Sequence, residues 1–194
     1  TSPGGTHLLS AQSEAQTLLM SLREQFPDSM IVRSHSASVL LGTGSARKAK
    51  SELEMVLQDQ NSSSIGANVL LVDALLQLGE IDAKIEELQV QGDDDPDRKL
   101  ILAYALLRTG NETDGEAILQ GVLNDDIASP SANLVYGAYM TRSEKPELAD
   151  RYLRVASLEL PWDATVMHRI SQGKSSMTST PKSPATSRPD VSKA

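Results

Sequence analysis

The chain has no cysteine, one Phe, one Trp and three His among its 194 residues. Without cysteine it can form neither a disulfide framework nor a thiolate metal site, which leaves the redox compartment open. With so few aromatics, the core has to be built from Leu, Val, Ala, Ile and Met, and that favours close-packed helices over a β-sandwich. No apolar run approaches the roughly 20 residues of a membrane-spanning helix, so membrane insertion is not expected. Positive charge is scarce as well. The formal net charge is -8, and residues 175–194 carry Lys182, Arg188 and Lys193 against Asp190 alone, so the preceding body is more acidic still. Such a body repels phosphate backbones and disfavours nucleic-acid binding. The sequence begins at Thr1 without Met, as a processed product or fragment does, and a targeting signal can already be gone. Localisation is unknown on this evidence: a soluble chain of the cytoplasm, or of a bacterial periplasm or envelope.

What is present is a spacing. In residues 130–161, Ser129 suits an N-cap and Pro130 the first helical position, and a stripe of Leu134, Tyr136, Gly137 and Met140 runs to about Arg142. After a short turn, Pro146 is tolerated in a first helical turn, and Leu148, Ala149, Tyr152, Leu153, Val155 and Ala156 form a facing stripe. Small residues at Gly137, Ala149 and Ala156 let the backbones approach where the helices cross, with Leu153 filling the space beside them. Pro161 closes the unit.

The rest of the chain repeats this. Gly44, Gly79 and Gly110 mark turns, each followed nine residues later by Leu53, Leu88 or Leu119 and preceded seven residues earlier by Ala37, Val72 or Ala103. Four residues before each glycine stands Leu40, Leu75 or Leu106. In the unit at 130–161 the equivalent turn is Glu144, which gives a repeat of about 34 residues. The stretch from His7 to about Gln25 has the pattern of a second helix without its first.

On these residues, and on LVDALLQLGEIDAKIEEL at 71–88 and LAYALLRTGN at 102–111, the stretch 15–161 resembles tetratricopeptide (TPR) repeats. Lys84 and Gly115 depart from the alanine preferred at their places. The resemblance implies an all-α, right-handed superhelical solenoid of antiparallel helix pairs, whose concave face binds peptides or protein segments. The expected organisation is a lead-in at 1–6 and a TPR-like domain at 7–172, with units at 7–27 (partial), 30–61, 65–95, 96–128 and 130–161 and a capping helix at 163–172. A Ser/Thr/Pro/Lys-rich disordered tail follows at 173–194.

That register assigns a concave row. Several members are apolar at places that would face solvent, and the expected partner-binding groove comprises Val69, Asp73, Leu76, Leu100, Tyr104, Leu107 and Leu134 with Thr141, and with Arg108 and Arg142 at its edge. Two readings of the row stay open: a groove for an apolar partner segment, or a surface covered by neighbouring helices or by a second copy. The Lys and Asn pair with which some members of the family hold a C-terminal carboxylate is absent from these places.

Catalysis and metal binding need convergent groups, and His7, His35 and His168 are scattered. The acidic run at Asp93 to Asp97 lacks the spaced ligands and closing Glu of an EF-hand and reads as a solvated turn before a helix. No catalytic residue, metal ligand or cofactor site is expected. The expected function is a non-enzymatic protein-protein interaction scaffold that binds another protein or peptide, within a larger assembly. The alternatives are a self-associating homo-oligomeric structural module, or a regulatory or interaction domain of a longer polypeptide, enzymatic or not.

Overall fold

The computed structural model describes residues 14, 17–58, 64–90, 95–161 and 163. The described residues form helices and turns with no strand: α1 at 17–25, α2 (Met30–Gly42), α3 (Ala46–Gln58), α4 (Ile65–Leu78), α5 (Ile81–Val90), α6 (Pro96–Arg108), α7 (Glu112–Asp125), α8 (Pro130–Arg142) and α9 (Pro146–Ala156). Together they make an all-α solenoid of antiparallel helix pairs. The lead-in, the tail and the capping helix beyond Asp163 lie outside the described residues.

The first helix of each pair starts at a side-chain cap. Ser29, Ser64 and Ser129 accept from the amides of Val32, Ala67 and Ala132, and Asp95 accepts from Asp97 at 3.0 Å. Asp95 thus satisfies an amide that α6 itself leaves unpaired, while Asp93 and Asp94 lie outside the described residues. All four turns close the same way. Gly44, Gly79 and Gly110 have φ of 75, 69 and 89°, and Glu144 takes up φ 58° without being glycine. The amides of Ser45, Glu80, Asn111 and Lys145 then donate to the carbonyls of Leu40, Leu75, Leu106 and Met140 at 2.8 to 2.9 Å, a left-handed helix stop repeated four times.

Small residues set how closely paired helices cross. A Cβ on Gly137 would lie 2.5 Å from Leu153 Cγ, and one on Gly115 would lie 2.6 Å from Leu107 Cγ and 2.9 Å from the Ala103 carbonyl oxygen. Ala49, Ala149 and Ala156 are wholly buried at the corresponding crossings. The facing stripe of α9 is narrower than the spacing suggests: Leu148, next to the wholly buried Ala149, is 44% exposed. Tyr136 and Tyr152, half-buried, meet edge to face at 4.5 Å.

The pair α4/α5 is different. The place of Ala49, Gly115 and Ala149 is taken there by Lys84, and α5 touches α4 sparingly, whereas α3 packs along α4 and α6 supports α5. The Arg98 guanidinium on α6 grips the last turn of α5, donating to the Glu87 carbonyl at 2.8 Å and to the Leu88 carbonyl at 3.5 Å. At the other end, Glu52, buried on α3, ties in Arg33 of α2 at 2.9 Å and Arg23 of α1 at 2.5 Å.

Candidate interaction site

The concave side is closed. Helices α4, α6 and α8 converge there, and α4 meets α8 directly across the intervening pair. Val69, Leu100, Tyr104, Leu107 and Leu134 are therefore interior residues, with exposures of 1, 0, 0, 4 and 0%. Leu76 and Thr141 are half-buried at the margin. An open groove along this row is thus corrected to a packed interface between first helices. The physical reason is that Leu100, Tyr104 and Leu134 are large enough to fill the narrow space left when three helices lean together. Past the last pair, the Asp163 carboxylate lies against Gly66 in the first turn of α4, where any side chain would collide with it. An acidic group there also faces the positive end of the helix dipole.

Asp73 stands at the centre of this seam and is 3% exposed. Its Oδ2 accepts from Arg142 Nη2 at 2.6 Å and Nε at 3.0 Å, and its Oδ1 accepts from Tyr104 Oη at 3.0 Å. Arg108 Nη2 lies 3.5 Å from Oδ1, while the buried Arg108 Nε has no acceptor. One carboxylate thus joins α4, α6 and α8. Burial, with the Asp73 carboxylate beside it, pushes the Tyr104 phenol well above its usual range, so it stays protonated and donates. Burial opposes the Arg142 charge, but Asp73 outweighs that and raises the guanidinium further. Spacing brought Asp73, Tyr104, Arg108 and Arg142 to one row. It placed the arginines at the edge of the row; their side chains are 24% (Arg108) and 38% (Arg142) exposed, and their guanidinium groups reach back to Asp73.

The other flank of α4 is covered less completely. Because α5 stands off, a cleft of about 770 Å³ lies between α3 and α5. Its floor is Leu71 and Leu75 of α4, 8 and 7% exposed, beside the half-buried Leu57 of α3. Its rim carries Glu54, Glu80, Asp82 and Glu87 against Lys50 and Lys84. Lys50 Nζ sits 2.5 Å from Glu80 and 4.0 Å from Glu54, and Lys84 Nζ sits 3.0 Å from Glu87. Hydrogen bonding to Glu80 raises the pKa of Lys50. Nothing in the concave row foretold this cleft. The signal that could have found it is Lys84 at a crossing where the other pairs keep alanine or glycine.

Among the described residues no group of three or more His, Asp or Glu is placed to hold a metal ion, and no helix is long and apolar enough to cross a membrane. His35 is half-buried on α2, and the other two histidines lie outside the described residues.

No family profile and no curated protein matches the chain. Among solved structures, YrrB, a TPR protein with an unusual peptide-binding site, is similar at 16% identity over 85% of this chain and 86% of its own, with a TM-score of 0.41. That likeness is loose. Nothing of the YrrB site is carried over, and the architecture rests on the helix pairs and turns described above.

Proposed function

We propose that this chain is a non-enzymatic scaffold that holds a segment of another protein within a larger assembly, and that it does so outside the concave row. The observation that carries this reading is the cleft of about 770 Å³ beside α4, an indentation with an apolar floor and a charged rim. The row of Val69, Asp73, Leu76, Leu100, Tyr104, Leu107, Arg108, Leu134, Thr141 and Arg142 would receive a partner only after α4 and α8 part. Returning each large apolar side chain to water costs about 1.5 to 3 kcal/mol, so the surface that is already open is the better host. The same reading holds for the chain as an interaction domain of a longer polypeptide.

The test is affinity capture from a lysate of the source organism with the full chain as bait, beside sedimentation of the chain at high concentration. A distinct protein retained in stoichiometric amount is the expected result. Capture of nothing but the chain itself, together with a concentration-dependent dimer, would replace the scaffold by a self-associating module.

A further inference from the structure

We infer that the cleft between α3, α4 and α5 takes a short amphipathic helix of a partner protein, with leucine-sized side chains turned to the floor and lysine or arginine along its flanks. The inference deepens the scaffold reading and rests on it. The cleft exists because of a residue choice. At the crossing where α3, α7 and α9 present Ala49, Gly115 and Ala149, α5 presents Lys84, whose ammonium turns to Glu87 at 3.0 Å, and there α5 touches α4 sparingly. The space left open is walled by α3 and α5.

Shape and backbone chemistry choose a helix. Leu71, Leu75 and Gly79 follow one another at one-turn steps along α4 and its C-cap, and Lys50, Glu54 and Gln58 do so on α3. A row about two turns long, at 5.4 Å per turn, matches leucines at three- and four-residue steps on a helix laid lengthwise. An extended segment would find no backbone partners here, since the walls are helices whose amides and carbonyls are already bonded. A helix brings its own bonds with it.

Charge chooses the flanks. The rim has four carboxylates against two ammonium groups, and both lysines are engaged, by Glu80 and Glu87. Glu54, 4.0 Å from Lys50, and Asp82, in the first turn of α5, carry the unbalanced negative charge. Basic flanks complement them and acidic flanks are repelled. The chain's own basic stretch at 175–194 lacks the apolar row, since Met177 and Val191 are its only large apolar residues and stand far apart.

The probe is a fluorescein-labelled helical peptide with leucines at three- and four-residue steps and lysines on its flanks. It is compared with the same peptide carrying glutamates on the flanks and with one whose leucines are scattered around the helix. Anisotropy titrations against the full chain should show the lysine-flanked peptide binding at least about tenfold tighter than either control. Ala83→Arg, at an exposed lining position of α5, fills the space and pairs with the rim acids, and it should remove that binding with the melting curve unchanged. Glu54→Lys with Asp82→Lys should invert the flank preference. Equal binding of the three peptides, or unaltered binding by the Ala83→Arg chain, overturns the inference. If a protein captured from lysate is held equally by the original and the Ala83→Arg chain, the scaffold stands and the cleft falls as its site. If the original chain dimerises, the Ala83→Arg chain does not and no peptide binds, the cleft joins two copies and the inference is overturned.

Discussion

On one flank of α4, Val69 and Asp73 are closed over by α6 and α8; on another, Leu71 and Leu75 look into the cleft between α3 and α5. Both flanks pair acids with bases above apolar residues. They differ in how near the next helix comes. Where Gly115, Ala149 or Gly137 stands at a crossing, paired helices meet at van der Waals distance, and where Lys84 stands they touch sparingly. The same charges consequently mean different things. Asp73, deprived of water, has to be answered by Arg142 and Tyr104, while Glu80 and Glu87, 45 and 50% exposed at the side chain, hold their lysines in solvent and leave the charge of Glu54 and Asp82 to a partner.

Breaking the closed flank should have the largest effect. Changing Leu100, Tyr104 and Leu107 together to Ser should abolish the folded state, seen as loss of far-UV helical signal at room temperature. A folded triple variant that merely binds less would return the row to the surface. Asp73→Ala alone takes their shared carboxylate from Arg108 and Arg142, and because water reaches both side chains, 24 and 38% exposed, the loss should be about 1 to 3 kcal/mol in urea unfolding. A loss smaller than about 1 kcal/mol would reduce the seam to apolar packing, with its polar groups no more than tolerated.

Sharpening the comparison at the crossings calls for smaller changes. Ala149→Leu puts a branched side chain against α8 and should lose about 1 to 3 kcal/mol by overpacking. An unchanged thermal midpoint would undo the argument from small residues. The converse, Lys84→Ala, should leave stability within about 0.5 kcal/mol, because it removes one exposed ion pair and improves helix propensity slightly. It should nevertheless bring α5 toward α4 and narrow the cleft. As the chain has no cysteine, single cysteines at Ser51 and Glu86 can carry nitroxide labels, and a label distance that does not shorten would remove Lys84 as the cause of the gap.

The sequence by itself determined the pairs. A left-handed turn at Gly44, Gly79, Gly110 and Glu144, a cap at Ser29, Ser64, Asp95 and Ser129, and a small residue at most crossings depend on neighbours a few positions away, and so they can be read from spacing. The limit appears within one helix of the clearest unit, where Leu148 has the right spacing for a core stripe yet ends 44% exposed. Whether the concave face would be open or closed was a matter for tertiary structure alone. It turns on Asp73 and Arg142, 69 residues apart, being carried to within 2.6 Å of each other by the packing of α4, α6 and α8. No single crossing reveals that placement: each pair is fixed by neighbours near in sequence, and only the assembled solenoid decides which apolar rows meet each other and which meet water.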